Sequence, residues 1–210
     1  GDSFEVLDRF PTPYAVHGGP KFSPDGRYVF VMSRDGWVEK YDIWSLKEVG
    51  RVRAGLNSRN IAMSHDGKWL AVANYLPQTL TILDTATLEP VKVIEVKAKD
   101  GTPSRVSAVY QAPDRKSFIL ALKDAPEIWE VATDPDAGPY EDGYVHSYEK
   151  GAKESFGAQA GLFARRRIPV MHVPAAQPGL TDQPADPQAR ERGAHEGGES
   201  AEGDVRVHAR

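Results

Sequence analysis

The strongest constraint on this chain is that it repeats itself. The segment FSPDGRYVFVMSRDGWVEKYDIWSLKEVGRVRAG (22–55) aligns with MSHDGKWLAVANYLPQTLTILDTATLEPVKVIEVK (63–97), and a weaker third copy starts at APDRKSFILALKDAPEIWEV (112–131). Asp25, Asp66 and Asp114 occupy equivalent positions, which gives spacings of 41 and 48 residues. A period of about 40–50 residues made of short strands indicates β-propeller blades.

Each copy reads the same way. A short strand enters a turn, marked by Asp25-Gly26 and Asp66-Gly67, a strong hairpin signal between apolar runs. A second strand follows (YVFVMS, WLAVAN, FILALK), then a third (WVEKYDI, LTILDT, EIWEVA), and in two copies a clear fourth (EVGRVRA, VKVIEVK). Val, Ile, Tyr, Phe and Trp dominate, as half-buried pleated strands require. Residues 1–135 show no helical stripe. The expected fold is therefore all-β, with about three four-stranded blades in residues 1–133. Closed propellers typically need four to eight blades, and one blade cannot bury both of its faces alone. The chain is thus expected to be part of a larger ring.

The rest of the chain reads differently. Residues 134–166 still carry Tyr140, Tyr144, Tyr148 and Phe156, and are expected to start a further blade or to form an inter-blade insertion. Residues 167–210 have no Phe, Trp or Tyr and are rich in Pro, Gly, Ala and charge. That is the composition of a disordered tail, and equally of an out-of-frame reading of a GC-rich gene. His172, His195 and His208 in it are too far apart for a metal motif.

Composition excludes several functions. The absence of cysteine rules out disulfides, thiolate metal sites and c-type haem attachment within these residues. A net charge of −4 gives no bulk attraction to nucleic acid. No run approaches the roughly 18 apolar residues of a membrane helix.

Blade topology makes one end of the sheets the place to look for chemistry. The Asp-Gly turns between first and second strands lie at one end, the bottom. The loop before the first strand and the loop between the second and third lie at the other, the top. His17, Arg59 and Arg105 precede their marker aspartates by 8, 7 and 9 residues, and Arg34, Tyr75 and Lys123 each follow theirs by 9. The expected top rim thus gathers four cations, a phenol and an imidazole. Arg binds carboxylates bidentately, and a neutral imidazole can ligate iron from one face of a macrocycle. Gly18 and Gly19 would let backbone approach such a ring. Plainer roles compete with these. A lone loop His is most often just a polar loop residue. Arg59 and Arg105 could pair with nearby acids, Arg34 could brace its turn, Tyr75 could pack, and Lys123 could be solvated. His65, in the bottom turn, reads as structural, and His146 stays open. Trp37, Trp44, Trp69 and Trp129 read as blade packing.

YAVHGGPKFSPDGRYVFVMSRDGWVEKYDIWSLK (14–47), NSRNIAMSHDGKWLAVANYLP (57–77), SRVSAVYQAP (104–113) and FILALKDAPEIWEV (118–131) together resemble the haem d1-binding propeller of the cytochrome cd1 nitrite reductase family. The likeness covers roughly residues 1–166. It implies an eight-bladed d1-type propeller that holds haem d1, or dihydro-haem d1, on its top face. It implies His17 as the proximal iron ligand, Arg59 and Arg105 as carboxylate contacts, and Arg34 and Tyr75 as pocket residues. In the nitrite reductase pattern an Arg stands three residues after the ligand His, and here that position is Pro20. The resemblance is therefore nearer the c-type cytochrome paralogue that acts late in haem d1 biosynthesis for denitrification, dehydrogenating a propionate of dihydro-haem d1 to an acrylate. The alternatives are a piece of the nitrite reductase d1 domain and a non-enzymatic propeller scaffold. The family implies a periplasmic oxidoreductase with a haem c in an amino-terminal domain not contained here. Its implied protein partners are a nitrite reductase or an electron-transfer cytochrome. No catalytic residue is assigned, and these residues alone are expected to be inactive.

Overall fold

The structure, a computed structural model, describes residues 5–140 and 159–170. Tyr144, His146, Tyr148 and Phe156, His172, His195 and His208, and the tail from residue 171 lie outside the described residues.

Three four-stranded antiparallel sheets follow one another along the chain, in the architecture of β-propeller blades. The first contains β1 (Lys21–Phe22), β2 (Tyr28–Met32), β3 (Trp37–Asp42) and β4 (Lys47–Arg53). The second contains β5 (Asn57–Met63), β6 (Trp69–Leu76), β7 (Thr79–Asp84) and β8 (Pro90–Glu95). The third contains β9 (Val106–Ala112), β10 (Ser117–Leu122), β11 (Glu127–Ala132) and β12 (Arg165–Pro169). Strand order within each sheet follows chain order. Among the described residues, no helix is long and apolar enough to cross a membrane.

The apolar runs read from the sequence supply the two interfaces between sheets. Phe30, Met32 and Val38 pack with Ile61, Met63, Leu70, Val72 and Leu83. Ala71, Ala73, Leu80 and Ile82 pack with Val106, Val109, Phe118, Leu120, Trp129 and Val131. Both faces of the middle sheet are thus buried, which is why residues 70–73 (LAVA) are all apolar instead of alternating. Polar pins add to this packing. Lys40 Nζ donates to the carbonyls of Thr85 (2.7 Å) and Ala86 (3.2 Å) in the second sheet. The backbone N–H of Ser58 donates to the carbonyl of Arg34 (2.9 Å). The sheets align end to end, since a Cβ on Gly67 would lie 2.5 Å from Pro24 Cδ, setting the two Asp-Gly turns side by side.

The third copy carries Asp114-Arg115 in place of Asp-Gly, and there Pro113–Arg115 form a 3-10 turn closed by Lys116 at φ 46°. Three expectations need correction. The division at residue 166/167 falls inside a strand, since β12 pairs with β11 and completes the third sheet. Hydropathy hides that strand because its inward residues are arginines. Arg165 and Arg167 lie over the Trp129 ring (4.3 and 5.5 Å), and Arg166 pairs with the fully buried Glu130 on the other face. Trp44 is not blade packing, being 72% exposed. Arg59 and Tyr75, placed on loops from the sequence, lie inside β5 and β6, because the second sheet's ladder runs on to Asn57 and Leu76.

Candidate functional site

All three inner strands are irregular near the top end. In the first sheet Val16 pairs with Ser33 and Lys21 with Phe30, so His17–Pro20 bow out of the ladder. In the second, Asn57 pairs with Leu76, Ser58 with Asn74 and Asn60 with Ala73, which leaves Arg59 and Tyr75 as the extra residues of facing bulges. In the third, Leu122 pairs with Val106 and Ala121 with Ala108, so Ser107 is extra and Arg105 stands just beyond the ladder. Bulges re-aim side chains and free backbone groups, and four of the candidate residues stand at or beside these irregularities.

Those four form one continuous line across three sheets. His17 Nδ1 donates to the carbonyl oxygen of Arg59 (2.7 Å), and the Arg59 Nη1 lies 3.5 Å from His17 Nε2. The Arg59 guanidinium covers the Tyr75 ring at 4.2 Å, and the Arg105 guanidinium approaches the same ring at 5.1 Å. Such cation–π contacts contribute about 0.5–1 kcal/mol when exposed and more when desolvated. The bulge at Arg59 offers the carbonyl that His17 uses. A carbonyl can only accept, so the proton sits on Nδ1 and the lone pair on Nε2.

The outer end of the line is anchored by a residue the sequence reading did not assign. Asp124 accepts from Arg105 Nε and from the Arg105 backbone N–H, both at 2.9 Å, and its own N–H donates to Ser104 Oγ (3.0 Å). The Arg105 guanidinium and then its backbone N–H hold the Asp124 carboxyl down at about 2, and Asp124 in turn raises Arg105 above the usual guanidinium value. An acid ten residues after the third marker, facing an Arg nine before it, was the available signal. Below the line, Asn74 Nδ2 shares its two N–H donors among the carbonyl of Ala54 and the hydroxyls of Thr79 and Thr81 (each 3.1 Å), and Ser58 donates to Asn74 Oδ1 (2.6 Å). This buried network flanks the bulge carrying Arg59.

Two rim candidates stay apart. Arg34 contributes backbone bonds, its N–H to Ala15 (3.0 Å) and its carbonyl from Ser58. Its side chain is exposed. Lys123 likewise donates its N–H to the Arg105 carbonyl (2.8 Å) while its side chain is exposed. Gly18, at φ +78°, is required by backbone conformation rather than by space, since a Cβ there would meet the Arg59 carbonyl at an ordinary 3.5 Å. Gly19 has open space around it. The site thus holds one imidazole by its Nδ1 and leaves Nε2 with the Arg59 guanidinium, at 3.5 Å, as its hydrogen-bonding neighbour among the described residues. That suits a metal-centred ligand with acidic arms. No cluster of three or more metal-ligating side chains occurs among the described residues.

Residues 1–146 match the family described as "Cytochrome D1 heme domain". The chain is 59% identical over 131 residues to the "Dihydro-heme d1 dehydrogenase" of Pseudomonas aeruginosa, covering 62% of this chain and 27% of that protein. It is 31% identical over 137 residues to the "Nitrite reductase" of Stutzerimonas stutzeri, covering 62% of this chain and 23% of that one. The solved structure "Dihydro-heme d1 dehydrogenase NirN in complex with DHE" superposes with a TM-score of 0.66 at 48% identity, covering 81% of this chain and 31% of its counterpart. The chain therefore spans about a quarter to a third of the length of these relatives.

Proposed function

This chain belongs to the cytochrome D1 heme domain family, and from that membership and the geometry above we propose that it binds dihydro-haem d1 as part of an enzyme that dehydrogenates one propionate of that ligand to an acrylate. The observation that carries the reading is His17, whose Nδ1 is committed to a backbone carbonyl while Nε2 keeps its lone pair beside a guanidinium. The donor set fits a haem-type group: one imidazole for the iron, Arg59 and Arg105 for carboxylates, and the Tyr75 face between them. Arg34 joins from the neighbouring loop with a side chain free among the described residues to turn toward an acidic arm.

A d1-type haem, when bound, would supply a redox iron and a conjugated ring through which electrons can leave. Conversion of a propionate to an acrylate removes two electrons and two protons. The electrons require an acceptor, a c-type haem elsewhere in the whole protein or in a partner cytochrome, and the protons a base. The four residues of the line bind and orient, and none of them is proposed as that base. Pro20, where the nitrite-reducing pattern carries Arg, and the higher identity to the dehydrogenase favour this reaction over nitrite reduction. We place the whole protein in the periplasm, with a nitrite reductase as the recipient of the finished cofactor.

The test is a titration of the chain with dihydro-haem d1, following the absorption bands of the iron. Saturation at one equivalent is expected, with affinity lowered at least tenfold, or about 1.4 kcal/mol, in His17→Ala. Equal affinity and identical spectra in the two proteins would remove the reading.

A further inference from the structure

The Arg59 residue makes two opposed contacts with His17. Its carbonyl takes the Nδ1 proton, while its guanidinium lies over Nε2, the nitrogen the iron would need. The two rim arginines differ in their commitments. Arg105 is bound to Asp124 through both its Nε and its backbone N–H. Arg59 has no carboxylate partner among the described residues, and its buried Nε has no hydrogen-bond partner there. Among the described residues, the Tyr75 ring and the imidazole are what hold its guanidinium. A charged donor held by a π face and a 3.5 Å contact is poised for exchange, since a bidentate carboxylate is a much stronger partner than either.

We propose that Arg59 couples the two halves of ligand recognition: its guanidinium occupies His17 Nε2 until a ligand carboxylate draws it across the Tyr75 face, and only then is the imidazole open to iron. Arg105, held by Asp124 through Nε and Nη2, is the fixed post beside Tyr75 and keeps its Nη1 for a second carboxylate arm. This rests on the proposed tetrapyrrole reading and adds a selection rule to it. An iron macrocycle without acidic arms must displace the guanidinium unaided, so the site discriminates against it beyond the loss of direct contacts. Arg59 acts here as a positioning residue for His17, and its side chain can be changed while the carbonyl that orients the imidazole stays.

The experiment compares two probes on the full chain, ferric coproporphyrin, which carries four carboxylates, and an iron(III) porphyrin bearing only neutral glycol chains. For the wild-type chain, Arg59→Ala, Arg59→Lys and Tyr75→Leu, affinity and the axial-ligand spectrum are read for each probe. Arg59→Ala is expected to weaken coproporphyrin at least tenfold and to tighten the neutral probe about threefold, with the imidazole-ligated spectrum kept. Tyr75→Leu, which leaves both His17 and Arg59 in place, is expected to shift both probes in the same directions by smaller factors and serves if the Arg59 variants fold poorly. A variant that weakens both probes alike, or leaves the neutral probe unchanged, overturns the coupling. A His17→Ala chain that binds both probes as the wild type does, with the same spectrum, would instead overturn the underlying tetrapyrrole reading.

Discussion

At His17, a backbone carbonyl supplied by another sheet selects which ring nitrogen is available. That carbonyl exists because Arg59 sits in a bulge and is not paired across its ladder. Asp124 is the matching residue at the far end of the line, and its role is electrostatic. Its carboxyl is held at about 2 by Arg105, below the roughly 3.9 of an unfolded Asp. The pair therefore adds stability above pH 4 that is lost as pH falls toward 2. The group is largely exposed, so the contribution is small. Asp124→Asn is expected to cost about 0.5 kcal/mol at pH 7, as exposed ion pairs do, and close to nothing near pH 2, as read by urea unfolding at the two pH values. A cost that did not change with pH would mean that Asp124 acts through its backbone hydrogen bonds alone.

The strands show what a sequence can and cannot reveal. Repeats, marker turns and apolar runs made three blades legible, because burial against neighbouring sheets writes itself into hydropathy. The same logic put His17, Arg59, Tyr75 and Arg105 at one end. It failed where polar chemistry replaces hydropathy. The bulges that re-aim Arg59 and Tyr75 leave no compositional trace, and the tail reading from residue 167 cuts through Arg165–Pro169, the strand that closes the third sheet. Glu130 explains that strand. It is fully buried and accepts from Arg115 Nε (2.6 Å), Ser117 Oγ (2.8 Å) and Arg166 Nε (2.6 Å). Burial alone would raise its carboxyl, but these donors outweigh burial and hold it below the usual Glu value. Glu130→Ala leaves the buried Ser117 hydroxyl unmatched and strips Arg115 and Arg166 of their partner; it is expected to cost about 2 kcal/mol and to speed amide exchange in β12 more than in β6. Because the folded value is depressed, the stability due to Glu130 is present above the unfolded Glu value and lost as pH falls through the folded one. Glu130→Gln should therefore flatten the acid limb of the stability curve.

At the scale of the molecule, the site depends on three sheets being held in step. One sheet brings the imidazole, the next a guanidinium and a phenol, the third a guanidinium clamped by an acid. Sheet-to-sheet packing and the Ser58–Arg34 and Lys40–Thr85 bonds fix that alignment. The relatives are three to four times longer than the matched region, so further groups on the other side of a bound ring would come from outside these residues. The proposal is that this chain contributes the proximal side, and it can be tested at the iron itself. Pulsed EPR of the ferric tetrapyrrole complex, prepared with the chain labelled with 15N only at histidine, reads the nitrogen bound to the metal. A strong 15N coupling is expected in the wild-type chain and its loss in His17→Ala, with the other five histidines unchanged. A coupling that survives His17→Ala, or its absence from the wild type, would contradict the account.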